Sequence, residues 1–247
     1  MSAHPIGIDF GGSGIKAAPV DVDTGEFAAE RERIDTPEQS TPEAVGEIMA
    51  ELVARFPDST GPVGVTVPAV VRRGVVLSAA NIDKSWIGLD ADRLLTERLD
   101  RPVHVLNDAD AAGYAELQFG AAKGRGGLVI LTTLGTGIGS ALLWNGVLVP
   151  NSELGHIEID GHDAETRAAS SAREREDLSW EQWAERLTVY YRTVEKLFSP
   201  DLFVVGGGIS KKAAKFLPML DIDTEIIPAT LKNTAGIVGA AALSNLD

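Results

Sequence analysis

Cysteine is absent from this 247-residue sequence, so no disulfide can form and no thiolate can bind zinc. Basic residues are also scarce, because 22 Lys and Arg stand against 36 Asp and Glu and give a formal net charge of −14 at pH 7. A nucleic-acid backbone would be repelled by most of such a surface, so we expect no nucleic-acid partner. The lack of cysteine fits a reducing compartment, and we expect a cytoplasmic protein.

Long hydrophobic runs are missing as well. No segment reaches the roughly 18 apolar residues that a bilayer-spanning helix requires, so we expect no membrane partner. The first five residues, MSAHP, carry neither the basic flank nor the apolar run of a signal peptide. A strand follows them directly, and we therefore expect no DNA-binding segment ahead of it.

Strands and helices alternate along the sequence, which indicates an α/β fold. Each half begins with a strand, a glycine turn and a second strand. The sequence predicts strands at 5–10, 15–20, 26–35, 62–67, 74–79, 103–106, 128–134, 140–144 and 201–205. It predicts helices at 41–55, 90–99, 109–119, 164–177, 179–198 and 234–246. The apolar stripe of the helix at 179–198 consists of Trp183, Leu187, Tyr190, Tyr191, Val194 and Leu197.

Three glycine clusters each follow an apolar strand. Their members are Gly11, Gly12, Ser13 and Gly14; Gly135, Thr136 and Gly137; and Gly207 and Gly208. Turns of this kind can point backbone N–H groups at phosphate oxygens, and a helix N-terminus after the third would attract anions. For the first cluster, an ordinary glycine hairpin is the alternative explanation, and the Walker pattern is absent there. Lys16 could neutralise phosphate, and Asp9 could hold Mg²⁺ through water.

Asn107 and Asp108 stand where a predicted strand gives way to a helix. One interpretation is a helix N-cap, for which both residue types are common. The other is a general base that accepts a proton from a sugar hydroxyl during phosphoryl transfer. Farther along, Glu153, His156 and Glu165 are suitable partners for vicinal hydroxyls. We disfavour a metal site at His156, Glu158, His162 and Asp163, because their spacing matches no standard zinc motif.

The segments DFGGSGIK (9–16), ND (107–108), ELGH (153–156) and GGGIS (206–210), in this order, resemble the ROK family of sugar kinases and repressors. The resemblance implies a two-domain actin-like ATPase (ribonuclease H-like) α/β fold with a central cleft. One domain would comprise 1–106 plus 231–247, with the C-terminal helix completing it, and the other 107–230. It also implies a homodimer. Residues 131–139, 145–151 and 231–241 are similar to the polyphosphate glucokinases within the family.

The resemblance implies a hexose kinase that transfers a phosphoryl group from inorganic polyphosphate, or from ATP, to the 6-hydroxyl of glucose. Asp108 would be the general base, and Asp9 would hold Mg²⁺. The sugar would contact Asn81, Asn107, Asp108, Glu153, His156 and Glu165. The phosphates would contact Gly11, Gly12, Ser13, Gly14, Lys16, Gly135, Thr136, Gly137, Gly207 and Gly208. The alternatives are an ATP-dependent glucokinase or glucomannokinase of the same fold and, in another class, a catalytically silent sugar-binding regulator.

Two departures from the family pattern concern the sugar site. Most members carry a cysteine-rich zinc motif after the histidine, whereas residues 161–165 here read GHDAE, so we expect no zinc. Residues 67–69 read Val-Pro-Ala in place of the usual Pro-Gly pair. For a polyphosphate chain, a path of positive charge is required, and the candidates are Lys84, Lys123, Arg125 and the lysines at 211–215.

Overall fold

The computed structural model describes residues 4–79 and 81–246, and the chain divides into two units. Unit 1 comprises Met1–Ala115 and Thr234–Asp247, and unit 2 comprises Glu116–Asn233. The strands are β1 (Ile6–Gly11), β2 (Gly14–Asp21), β3 (Glu26–Phe27), β4 (Glu32–Ile34), β5 (Val63–Val67), β6 (Val71–Arg72), β7 (Val75–Val76), β8 (Val103–Asn107), β9 (Leu128–Leu134), β10 (Ile138–Trp144), β11 (Val147–Val149), β12 (Glu158–Ile159), β13 (His162–Asp163), β14 (Leu202–Gly206) and β15 (Ile226–Pro228). The helices are α1 (Pro42–Ala54), α2 (Ala91–Leu99), α3 (Asp108–Phe119), α4 (Glu165–Ala168), α5 (Ser170–Arg175), α6 (Trp180–Phe198) and α7 (Ala235–Ser244).

The main sheet of unit 1 has the strand order β3-β2-β1-β5-β8, and β4 also pairs with β2. β1 and β2 form an antiparallel hairpin, whereas β1, β5 and β8 run parallel. A single strand at 26–35 is a wrong prediction, because β3 and β4 pair with different parts of β2. A strand at 74–79 is also wrong, since left-handed Arg73 and Gly74 (φ 54° and 76°) form a turn and only Val75–Val76 pairs beyond it.

The helix signals of unit 1 are confirmed. α1 begins where the sequence predicts, because the Thr41 side chain accepts a hydrogen bond from the backbone N–H of Ala44 and Pro42 occupies the first turn. Asp90 caps α2 in the same way, by accepting from Arg93 N–H at 3.0 Å. The apolar faces of these helices join β1 and β5 in one core.

α7 packs directly on the sheet of unit 1. A Cβ atom on Gly64 would lie 1.9 Å from the carbonyl oxygen of Ala240 in α7, and one on Gly239 would lie 1.8 Å from that of Ala111. Backbone therefore contacts backbone, because no side chain separates α7 from β5 or from α3. The small-residue run predicted as a helix at 234–246 serves this close approach.

Unit 2 is built on a five-stranded sheet with the order β11-β10-β9-β14-β15. β9 pairs antiparallel with β10 and parallel with β14. Five of the six predicted stripe residues of α6, Trp183 through Val194, are buried in its core. Leu197 is a wrong prediction, because its side chain is 60% exposed and the buried stripe ends one turn before the helix does.

A continuous helix at 164–177 is also wrong. The chain forms α4 and α5, which are separated by Ala169 in an extended conformation (φ −62°, ψ 158°). The Trp183 indole N–H donates to Ala168 O at 3.0 Å, and Ser171 N–H donates to Gly135 O at 3.0 Å. These tertiary hydrogen bonds compete with the helical ones at the break.

A buried carboxylate at the end of α3 joins two segments of unit 2. Glu116 is fully buried and accepts hydrogen bonds from the backbone N–H groups of Ala121, Thr230 and Leu231, and from the Thr230 hydroxyl. Four donors compensate for its lost hydration. Within the described ranges, no helix is long and apolar enough to cross a bilayer.

The contact between Gly64 and α7 predicts a matched pair of stability effects. Gly64→Ala forces backbone displacement, so we expect the free energy of unfolding to fall by about 3 kcal/mol. Gly46→Ala, inside α1, meets its nearest atom at an ordinary 3.6 Å, so we expect a gain of about 0.5–1 kcal/mol from helix propensity. Denaturant unfolding of both variants measures this. Equal unfolding midpoints for Gly64→Ala and the wild type would contradict the close-contact argument.

Candidate active site

The predicted phosphate and magnesium residues of unit 1 lie on the hairpin of β1 and β2. Asp9 stands opposite Lys16 on β2 and opposite Thr66 on β5. Its carboxylate accepts from Lys16 Nζ at 2.9 Å and from Thr66 Oγ1 at 3.3 Å. Both members of the ion pair remain partly exposed, so they can be reached by a ligand. The structure therefore couples the predicted magnesium residue to the predicted phosphate lysine.

The turn of this hairpin consists of exposed Gly12 and Ser13, between the paired residues Gly11 and Gly14. The segment after the hairpin holds it in place. Arg33 Nη2 donates to Ser13 O at 2.7 Å, and the Thr36 hydroxyl donates to Gly11 O at 2.6 Å. The carbonyl groups of Gly11 and Ser13 thus have protein partners.

Asn107 and Asp108 lie at the junction of β8 and α3. Buried Asn107 donates through Nδ2 to Ala69 O at 3.1 Å, and its Oδ1 accepts from the backbone N–H groups of Ala109 and Asp110. The helix-cap geometry is therefore present, and it fixes the orientation of the Asn107 amide. Asp108 is exposed, and its Oδ1 accepts from Ala109 N–H at 2.8 Å. Asn81 lies exposed in a bend between β7 and α2.

Three predicted sugar residues come together in unit 2. The 3₁₀ turn Leu154–His156 begins directly after Glu153 and carries His156, whose Nε2 lies 3.8 Å from Glu153 Oε2. Leu154 N–H donates to the Ser140 hydroxyl at 2.9 Å, which fastens this turn to β10. Glu165, at the start of α4, adds a second carboxylate to the group.

Glu165 also contacts the second glycine turn. Its Oε2 accepts from the backbone N–H of Ile138 at 3.0 Å. A Cβ atom on Gly137 would lie 2.3 Å from the same oxygen, so the glycine leaves the room that the carboxylate occupies. Within unit 2, the predicted hydroxyl-binding cluster therefore adjoins the predicted phosphate turn.

The sequence interpretation missed the role of Asp163. Its Oδ2 lies 2.8 Å from His156 Nδ1, because the short hairpin of β12 and β13 brings it back toward the 3₁₀ turn. Asp160 and Gly161 form the turn of this hairpin with φ of 52° and 74°. An Asp-Gly pair is a strong hairpin signal, and it could have revealed the fold-back from the sequence.

Two pKa shifts accompany this cluster. Burial raises the pKa of Glu153 above its ordinary value; His156 opposes the shift and Glu165 adds to it. The hydrogen bond that the His156 ring donates to Asp163 raises the pKa of His156; partial burial opposes this shift, and the nearby carboxylates of Glu165 and Glu153 reinforce it. The cluster thus favours a protonated imidazole beside its carboxylates.

Ligand atoms of His156, Asp163 and Glu165 all lie within 4.8 Å of one another. They already have protein partners, since His156 and Asp163 are hydrogen-bonded to each other and Glu165 accepts from Ile138 N–H. The cysteine ligands of the family's zinc motif are absent from the sequence, so that ligand set does not fit this chain. We assign the cluster to hydrogen bonding.

Of the two glycine segments of unit 2, one follows β9 directly and the other packs against the end of β9. In the turn after β9, Gly135 N–H donates to Gly137 O at 3.0 Å. Gly207 has φ 81°, and a Cβ atom there would lie 2.5 Å from Leu134 O. The helix predicted after Gly208 is a 3₁₀ helix, Gly208–Lys215, that is irregular at Lys212 (φ −109°, ψ 15°). An α-helix dipole directed at an anion is therefore not available there.

The contact between His156 and Asp163 predicts a measurable titration. Asp163→Asn removes the strongest cause of the raised His156 pKa, so we expect the imidazole to titrate closer to its ordinary value of 6.5. Histidine NMR signals followed against pH measure the shift. Asp160→Asn is the matched control, because it removes the same charge from the same hairpin, and asparagine tolerates the left-handed conformation. Equal histidine pKa values in the two variants would refute the assignment.

The chain matches the ROK family model over residues 5–172. It is 52% identical to the polyphosphate glucokinase of Mycobacterium tuberculosis (strain CDC 1551 / Oshkosh), over 99% of this chain and 92% of that protein. The crystal structure of the inorganic polyphosphate/ATP-glucomannokinase from Arthrobacter sp. strain KM superposes with a TM-score of 0.94 and 55% identity, over 99% of both chains. A glucokinase of Streptomyces coelicolor is 28% identical, over 97% of this chain and 96% of that one. These likenesses confirm the predicted actin-like ATPase α/β fold, and the chain belongs to the ROK family.

Proposed function

We propose that the protein transfers the terminal phosphoryl group of inorganic polyphosphate to the 6-hydroxyl of glucose, and that ATP is a second donor. The observation that carries the proposal is the position of Glu165. Its carboxylate joins the hydroxyl-binding cluster of Glu153 and His156 to the glycine turn through Ile138 N–H. An acceptor site next to a phosphate turn is the arrangement that phosphoryl transfer requires. The 52% and 55% identities to polyphosphate-using enzymes support the choice of donor.

In the proposed reaction, Asp108 accepts the proton of the glucose 6-hydroxyl as its oxygen attacks the terminal phosphorus in line. The phosphoanhydride bond breaks, and the shortened polyphosphate, or ADP, leaves with the bonding electrons. Asn107, Asn81, Glu153, His156 and Glu165 orient the sugar through its other hydroxyls. Backbone N–H groups of the glycine turns at 11–14, 135–137 and 207–208 stabilise the charge on the phosphate oxygens.

Asp9 suits an indirect contact with Mg²⁺. Its partly exposed carboxylate already engages Lys16 and Thr66, and it retains acceptor capacity for metal-bound water. The ion would neutralise phosphate charge when bound. The same proposal includes the cytoplasmic location expected from the sequence. It also includes the homodimer that the family resemblance implies.

Two alternatives differ in how well they are supported. The same enzyme could also accept mannose, because the Arthrobacter relative is named a glucomannokinase. A catalytically silent sugar-binding regulator is disfavoured, since the relatives at about half identity are named as kinases and Asp108 and the glycine turns are all retained.

The donor is tested by measuring glucose 6-phosphate formation with purified protein, glucose and Mg²⁺. Polyphosphate treated with a nucleotide-degrading enzyme, and ATP alone, are supplied in separate reactions. We expect product from both donors. Product from ATP only would remove the polyphosphate claim. No product from either donor, with glucose binding intact, would replace the kinase proposal with the regulator.

The general base is tested by Asp108→Asn. We expect kcat to fall by about 10²–10⁴ with both donors, because the amide cannot accept the hydroxyl proton, while the KM for glucose changes little. Asp90→Asn is the matched control, since Asp90 also begins a helix of unit 1 and Asn caps helices equally well. Near-normal turnover of Asp108→Asn would exclude the assignment.

A further inference from the structure

Three cationic side chains surround the Trp180 ring in unit 2. The guanidinium carbon of Arg173 lies 3.9 Å from the ring centroid, and the Nζ atoms of Lys215 and Lys212 lie at 5.5 and 6.0 Å. We call these four residues the Trp180 cluster. Aromatic rings attract cations, but each such contact contributes only about 0.5–1 kcal/mol at an exposed site. The three like charges also repel one another, and the weak attraction of the ring opposes this repulsion only in part.

The cluster lacks carboxylate partners. Among residues 4–79 and 81–246, no Asp or Glu oxygen is recorded within 4.0 Å of the charged nitrogens of Arg173, Lys212 or Lys215, and the buried Nε of Arg173 has no hydrogen-bond partner. Glu176, close to Arg173 in the sequence, instead pairs with Arg175 and Arg186. In a chain of net charge −14, an uncompensated cationic group is a local exception that favours an anionic ligand.

Both segments that carry the cations of the cluster are fastened to the end of β9. Ser171, two residues before Arg173, donates from its backbone N–H to Gly135 O and from its hydroxyl to Thr136 O at 2.6 Å. Gly207 lies against Leu134 and begins the segment that leads through the 3₁₀ helix to Lys212 and Lys215. The cluster is thus anchored to the same glycine turn that we propose to hold the transferred phosphate.

We propose that the Trp180 cluster binds the polyphosphate chain beyond its terminal phosphate, an inference that rests on the proposed function. A polyanion longer than the three phosphates of ATP can reach cations outside the transfer site, and this contact releases the polyanion's own condensed counterions. Among the other candidates, Arg125 is less suitable, because it forms an ion pair with Glu225. The cluster therefore favours long polyphosphate over ATP without taking part in the chemical step.

The test compares Lys212→Gln/Lys215→Gln with a control, Arg72→Gln/Lys196→Gln, that removes two charges from exposed positions elsewhere. At low salt we expect the KM for long-chain polyphosphate to rise about tenfold in the cluster variant, as expected for a steering polyanion contact. The kcat and the KM values for ATP and glucose should stay within about twofold of the wild type, and the control should match the wild type throughout. Arg173→Gln should raise the polyphosphate KM in the same way.

Salt dependence supplies a second readout. The slope of log KM for polyphosphate against log salt should decrease by roughly 0.7–0.9 for each cation removed. An unchanged polyphosphate KM and slope in the cluster variant would overturn the inference, as would an equal rise in the KM for ATP.

Direct binding separates failure of this inference from failure of the proposed function. Calorimetric titration of wild type and variants with long-chain polyphosphate requires no turnover. Tight binding by the wild type and about tenfold weaker binding by the cluster variant would support the cluster even if no glucose 6-phosphate formed from polyphosphate. Wild-type binding that the variant retains, or no binding by the wild type, would refute it. Equal thermal midpoints of the variants confirm that each one is folded.

Discussion

Direct contact between backbones, made possible where glycine leaves out a side chain, is the constraint on which both units depend. In unit 1, Gly64 allows α7 to lie on strand β5. In unit 2, Gly155 lies against Ile138 O and Gly207 against Leu134 O, so the 3₁₀ turn Leu154–His156 and the 3₁₀ helix Gly208–Lys215 both rest on the hairpin of β9 and β10. A methyl group at these points would overlap a carbonyl oxygen. Because that oxygen belongs to the backbone, the overlap cannot be relieved by moving a side chain. The positions of the site residues therefore follow from packing of the main chain.

Electrostatics then distinguishes the cations that are paired within the protein from those that are available for a ligand. Arg55 pairs with Glu32 and Glu51, and Arg125 pairs with Glu225, so these charges are compensated within the protein. Such exposed pairs contribute little to stability, yet they reduce the positive potential that an anion would encounter. The Trp180 cluster lacks this compensation. An acidic protein can therefore attract a polyanion, provided that several uncompensated cations lie together.

The sequence predicts most where local signals are strong. β9 has the predicted bounds, and the Thr41 cap places the start of α1, because an apolar run and a cap each act over a few residues. The break between α4 and α5 could not be predicted, since it depends on a hydrogen bond from Trp183, which is distant in sequence. The same holds for the site. Residue types indicated Glu153, His156 and Glu165, whereas the contact of His156 with Asp163 required the fold-back of a two-residue hairpin.

The hairpin of β12 and β13 helps its loop to keep its shape without the family's zinc ligands. Hydrogen bonds hold it: Ala164 N–H donates to Ile157 O at 2.9 Å, the Thr166 hydroxyl to Asp163 O at 2.6 Å, and Asp163 pairs with His156. Because the folded pKa of His156 is raised, its contribution to stability is fully present below the unfolded pKa and is lost as pH rises through the folded value. The raised pKa of Glu153 acts in the same direction, since the folded state binds its proton more tightly than the unfolded state. In a loop held by hydrogen bonds, stability thus depends on pH, and it falls as Glu153 and His156 each lose their proton in their own pH range.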